Sequence, residues 1–145
     1  MKTRRRDIVI AGFGTLLLRP AAATPESLRA AIAAFAGATP PRDGRVTLDI
    51  APLVDNGNAV PVTVRVDSVM SEIDHVRSIA IFNELNPNTE VALFHLGPRA
   101  GRAVVSTRIR LATSQRLVAL AKMNDGSCWQ HSVDVIVTLA ACIES

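Results

Sequence analysis

Tyrosine is absent from this 145-residue chain, tryptophan occurs once, and aromatics make up 3% of the residues. So thin an aromatic supply, with no basic residues interleaved, leaves no platform on which nucleic-acid bases could stack. Histidine is scarce too. His75, His95 and His131 lie far apart, with no cysteine or acid at metal-ligand spacing, so no metal and no cofactor is expected. They read as strand-surface or loop histidines. Beyond residue 23 no glycine-rich loop opens a helix, which excludes the usual phosphate cradle. No serine stands in a nucleophile elbow. No apolar run approaches the roughly 20 residues that span a bilayer, which argues against a membrane anchor. An enzyme with its own active site is therefore not expected.

What is present begins at the N-terminus. Lys2, Arg4, Arg5 and Arg6 precede an apolar stretch from Ile8 to Leu18, and Ala21-Ala22-Ala23 follows. A charged start, a short apolar middle and small residues make a signal peptide, with cleavage expected after Ala23. The consecutive arginines, a polar residue and then Ile8-Val9 point to the twin-arginine route. Arg19 agrees, because a late positive charge disfavours the general secretory route. An ordinary secretory signal is the alternative, and either one places the mature chain outside the cytoplasm. Gly12-Phe13-Gly14 falls inside this leader and says nothing about nucleotides.

The leader also explains the charge. The whole chain carries a formal +3. Residues 1–23 hold Lys2, Arg4, Arg5, Arg6 and Arg19 against Asp7, so the rest of the chain is −1. A nucleic-acid partner inferred from the basic total would be an artefact of the leader.

The remainder suits one domain with its own core. Thr24-Pro25-Glu26 predicts a helix start: a hydroxyl cap, proline in the first turn, then an acid. Leu28, Ile32 and Phe35 share one face, and Gly37 ends the helix. From Arg45 the period changes to two. Val46, Leu48 and Ile50 alternate with polar residues, as do Val60, Val62, Val64 and Val66. Further runs are Val76–Phe82, Val91–Leu96, Val104–Leu111, Leu117–Met123 and Val133–Leu139. Turn signals separate them at Asp55-Asn56-Gly57-Asn58, Asn86-Pro87-Asn88, Gly97-Pro98-Arg99 and Asn124-Asp125-Gly126. Asn56-Gly57 is expected to make a tight turn with positive φ.

Seven short, β-branched strands predict an all-β, immunoglobulin-like antiparallel sandwich with a short N-terminal helix. The expected divisions are 1–23 signal peptide, 24–44 helix and connector, 45–139 sandwich, and 140–145 a flexible cysteine-bearing tail.

Two cysteines remain to be placed. Cys142 lies just past the last apolar run. A thiol on a loose tail can be handed to another protein, and its thiolate is the nucleophile and attachment point. Cys128 stands at the start of the last strand. A bridge between the two is not expected. The intervening strand of about a dozen residues, at roughly 3.3 Å each, far exceeds the ~5.5–6 Å Cα separation of a disulfide. Cys128 reads as a partly buried cysteine near Trp129, or as half of an intermolecular disulfide. Arg108 and Arg110 lie two apart on one strand and so on one face. They read as solvated or paired with acids such as Glu84 or Glu90, or as a docking patch for an anionic substrate or partner.

Several ordered segments resemble one family. Asp55-Asn56-Gly57-Asn58-Ala59-Val60-Pro61-Val62 is similar to the ENGN-x-VPV segment of SoxY proteins, the sulfur-carrier subunits of periplasmic thiosulfate oxidation. Asp67-Ser68-Val69-Met70 resembles their DSPM turn. Asn86-Pro87-Asn88, Phe94-His95, Ser106-Thr107-Arg108-Ile109-Arg110-Leu111-Ala112 and Asp125-Gly126-Ser127 also fall where that family has like sequence. The resemblance runs through essentially the whole mature chain. It implies an immunoglobulin-like sandwich in the periplasm, paired with a SoxZ-like subunit. It further implies a C-terminal arm whose cysteine receives a thiosulfate-derived sulfane-sulfonate from a Sox cytochrome enzyme. Other Sox enzymes, hydrolases among them, then act on the bound intermediate. Cys142 matches the carrier cysteine.

The tail departs from the family's GGCGG pattern. It reads Ala140-Ala141-Cys142-Ile143-Glu144-Ser145. Glycine permits positive φ and close backbone approach, whereas alanines stiffen the arm and Ile143 adds bulk beside the thiol. Glu144 and the terminal carboxylate bring negative charge, which disfavours the thiolate. Two readings stay open. Cys142 still carries sulfur, or the chain is a SoxY-like structural or binding paralogue that pairs with a SoxZ-like subunit without carrying it.

Overall fold

The computed structural model describes residues 23–140. Nearly all of the expected signal peptide and most of the cysteine-bearing tail, including Cys142, lie outside the described residues.

The helix forms where its caps predict. Helix α1 spans Pro25–Ala36. The Thr24 side chain accepts the Ser27 amide at 3.2 Å, and Ser27 Oγ accepts the Thr24 amide at 2.7 Å. This reciprocal box satisfies donors that the first turn leaves open, with serine in the place glutamate often holds. Gly37 closes the helix at φ 72°, and its amide donates to the Ala33 carbonyl at 3.0 Å.

Nine strands follow among the described residues: β1 Arg42–Asp43, β2 Val46–Asp49, β3 Leu53–Asn56, β4 Val60–Val66, β5 Val76–Asn83, β6 Glu90–His95, β7 Val104–Ile109, β8 Gln115–Met123 and β9 Cys128–Leu139. A six-stranded sheet runs β1-β9-β8-β5-β6, with β3 also paired to β9. A three-stranded sheet runs β2-β4-β7. The two form the expected sandwich. Antiparallel pairs dominate, but β1 and β3 run parallel to β9. These two short strands escaped the sequence pattern because their residues are largely exposed and do not alternate.

The inter-sheet core follows the valine alternation. Val46, Leu48, Val60, Val62, Val64 and Val66 point inward against Ile79, Ile81, Leu117, Ala119 and Val135. A second core lies on the outer face of the large sheet. There Leu28, Ile32, Phe35 and Ala36 of α1 cover Ala80, Phe82, Val118, Leu120 and Cys128. Phe35 meets Phe82 edge to face at 5.9 Å between ring centroids. The helix therefore makes a third layer. It also explains why β5 and β8 read as continuous apolar runs rather than alternating ones, since both of their faces are buried.

One turn is built differently from the expectation. Neither Asn56 nor Gly57 has positive φ. Asn56 Oδ1 instead accepts the Asn58 amide at 2.9 Å, so a side chain makes the turn. Gly57 is buried. Its amide donates to the Leu139 carbonyl at 2.9 Å and its carbonyl accepts the Leu111 amide at 2.8 Å.

Candidate functional site

The site of interest is the end of β9, the root of the expected Cys142 tail. Strand β9 carries the chain to it, held on both sides at its far end. On one side β8 pairs through Gln115↔Val135, and Ser114 Oγ accepts the Val137 amide at 2.8 Å. On the other side β3 runs alongside through Leu53↔Ile136 and Asn56↔Leu139. Thr138 Oγ1 adds a bond to the Asp55 carbonyl at 3.1 Å. The Gly57 amide then caps Leu139 itself. Every residue from Leu53 to Gly57 thus fastens the last residues of β9. From this fixed post, three residues lead to Cys142, a reach of about 10 Å. Leu53, Ile136 and Leu139 are 57%, 58% and 62% exposed, so the surroundings of the root are apolar and open.

Cys128 has the opposite setting. It is fully buried at the other end of β9, under α1. Trp129, its neighbour in sequence, packs with the core between the sheets, so the cysteine lies under the helix and not against the tryptophan. Burial pushes the Cys128 thiol up, and the nearby Lys122 ammonium only partly offsets this. A neutral, enclosed thiol is neither a ready nucleophile nor a partner for an intermolecular bridge.

The remaining residues singled out in the sequence take separate places. Arg108 and Arg110 are exposed, and neither joins an ion pair among the described residues. Glu84 instead acts on Arg116, which pairs with Asp134 at 2.9 Å. His131 Nδ1 accepts the Leu48 amide at 2.9 Å, tying the edge of the small sheet to β9 and placing the ring proton on Nε2. His75 Nδ1 lies 2.9 Å from the Ser71 carbonyl.

The segments that carry the family resemblance prove to be turns with locks. In Asp67–Met70, Met70 adopts φ 51° and buries its side chain in the core. Ser68 Oγ donates to Asp74, and Arg45 grips the Asp74 carboxylate with bonds of 3.0 and 2.9 Å. The Arg45 hydrogen bonds hold the Asp74 carboxyl below its ordinary range. In Asn86-Pro87-Asn88, Asn86 Oδ1 accepts the Ala112 amide at 3.0 Å and Gln115 Nε2 at 2.6 Å. Buried Asn83 closes the same loop by donating to the Asn88 carbonyl at 2.9 Å. Sequence spacing did not reveal this network, because its members come from two separate stretches, 83–88 and 112–115. A polar Gln115 and Asn83 inside otherwise apolar runs were the available signal.

The arrangement so far defines a helix-backed β-sandwich whose last strand is fastened up to Leu139, three residues before Cys142. Comparison with known proteins makes this more specific. The family model described as sulfur oxidation protein SoxY matches residues 32–142. The solved structure of the sulfur carrier protein SoxY from Chlorobium limicola f thiosulfatophilum is similar at 30% identity and a TM-score of 0.66. That match covers 79% of this chain and 98% of that one. The chain belongs to the SoxY family. A superoxide reductase (neelaredoxin) from Ignicoccus hospitalis, as its E23A variant, is similar at 18% identity and a TM-score of 0.58. It covers 87% of this chain and 98% of its own. A putative superoxide reductase from Thermotoga maritima follows at 21% identity and a TM-score of 0.52, covering 63% and 84%. At these identities the likeness is one of fold alone. No curated protein sequence matches the chain. Among the described residues, no helix is long and apolar enough to cross a membrane.

Proposed function

We propose that this protein is a sulfur carrier of periplasmic thiosulfate oxidation, loaded covalently at Cys142. The observation that carries the reading is that the SoxY family match runs through to Cys142 itself. The fastened root supports it: a carrier needs a fixed origin for its arm and freedom at the tip. In the loading step the Cys142 thiolate and thiosulfate join through a sulfur–sulfur bond. Two electrons leave, and a cytochrome enzyme takes them up. The sulfane-sulfonate then stays attached while hydrolase-type Sox enzymes work on it. A SoxZ-like subunit is the expected partner, and the twin-arginine-type leader delivers the chain to the periplasm.

The test is intact-protein mass spectrometry of the mature protein from its own host grown on thiosulfate, with and without reductant. Reductant-labile sulfur mass on Cys142 is the expected result. An unmodified Cys142, beside a modified SoxY with glycine-flanked cysteine from the same cells, would mean that the fold was kept and the cargo lost. Replacing Ala140 and Ala141 with glycine sharpens the test. Loading should become faster, because glycine relieves the stiffness that the two Cβ atoms impose on the arm.

A further inference from the structure

Away from the tail, one cleft gathers charge of a single sign. It opens on the outer face of the large sheet and is lined by Arg77, Ser78, His95, Leu96 and Lys122. The register explains the grouping. Ser78 on β5 pairs with His95 on β6 and with Lys122 on β8. Directly paired residues point the same way, with Cβ atoms about 4.5–5.5 Å apart. The ladder is irregular between Val76 and Ser78, which interrupts the alternation, and Arg77 lines the same opening. The Leu96 amide donates to the Arg77 carbonyl at 2.9 Å and steadies that wall.

The charges in the cleft are unbalanced. No acid lines it, and the ion pairs among the described residues use neither Arg77 nor Lys122. Lys122 Nζ spends one donor on the Phe35 carbonyl in the last turn of α1, at 3.3 Å, which leaves two of its three protons for a ligand. The Arg77 guanidinium offers a planar fork suited to oxygen pairs. Ser78 is 8% exposed and adds a hydroxyl from the middle strand. Donors converging from β5, β6 and β8 suit a ligand with oxygens on several sides. We propose that this cleft binds a small tetrahedral oxoanion of the sulfate class.

The occupant is a free ion and not the chain's own loaded tail. Lys122 pairs with Cys128 at the start of β9. Leu139 stands at the other end of that strand, roughly 36 Å away at ~3.3 Å per residue. The tail beyond Leu139 reaches only about 10 Å to Cys142. The site is thus independent of the carrier role and stands or falls separately from it.

Calorimetric titration of the mature chain with sodium sulfate, at ionic strength held constant with sodium chloride, tests this. A saturable heat for one sulfate per chain is expected. The Arg77→Gln/His95→Gln pair should weaken it by about tenfold or more, the loss of charge-assisted contacts. Both side chains are exposed, so the pair should unfold at the wild-type temperature. Lys122→Met should weaken binding as well, but it also removes the bond to Phe35, so the exposed pair is the decisive variant. Arg108→Gln, on the small sheet, should bind sulfate as wild type does. No saturable heat would overturn the proposal. So would acetate binding as well as sulfate, or undiminished binding by the Arg77→Gln/His95→Gln pair.

Discussion

The two ends of β9 differ in what surrounds them. At the start of the strand, Cys128 is sealed beneath α1 among Phe82, Val118 and Leu120, and burial keeps its thiol neutral. At the finish, the backbone is pinned up to Leu139 and the chain then departs toward Cys142. One strand thus runs from a thiol that fills space to a fastened, open edge three residues before Cys142. The lesson is that a cysteine's chemistry is set by what covers it: enclosed Cys128 is denied the reactivity that the proposed role asks of Cys142.

The sharpest break of this contrast is at the thiols themselves. Cys142→Ser should abolish thiosulfate-derived mass on the protein, whereas Cys128→Ala should load as wild type does. Intact mass after incubation with thiosulfate and the cognate cytochrome enzyme reads both. With unloaded protein, a thiol reagent should label one site in the native state and a second only on unfolding.

Next comes the lid over Cys128. Phe82→Ala removes the ring that α1 packs against, and a change of this kind costs about 3–5 kcal/mol. Urea unfolding measures the loss, and Cys128 should become reactive at lower urea concentration in the same variant.

Loosening the other end has a smaller effect. Ser114→Ala leaves the Val137 amide without its side-chain acceptor, a loss of about 1 kcal/mol. Faster hydrogen exchange confined to the end of β9 would show it, with amides near Cys128 unchanged.

The smallest effect comes from acid. The Asp74 carboxyl is held below its ordinary value of 3.8, chiefly by the Arg45 hydrogen bonds. Its stabilising contribution is therefore present above that value and is lost as pH falls through the lowered one. Asp74→Asn should lose stability at neutral pH and show a flatter acid limb than wild type. Both ends of β9 should otherwise keep their contrast.

Much of this was legible in the chain itself. The valines of β4 announced their inward face because a strand covered on one side must alternate. Thr24, Pro25 and Gly37 marked both ends of α1, because caps are local chemistry. The helix's resting place was not legible, since the unbroken apolar runs of β5 and β8 say only that both faces are covered. β3 was invisible for the converse reason. Leu53, Asp55 and Asn56 are exposed, and β9, which holds them, lies more than 80 residues further along the chain. Cys142 stands out as the proposed attachment point by its position past the last run and by its family match. The grip on the tail's root could not, because it depends on β3 and on backbone bonds from Gly57.

The parallel pairing of β3 along the end of β9 also has a mechanical side. In the proposed carrier role, an enzyme that draws Cys142 into its channel would pull β9 along the strand's own axis. The bonds to β8 and β3 lie across that axis, so the load falls on both ladders together in shear rather than opening them one at a time. A carrier built this way would be tugged by its cargo without the sandwich being unzipped.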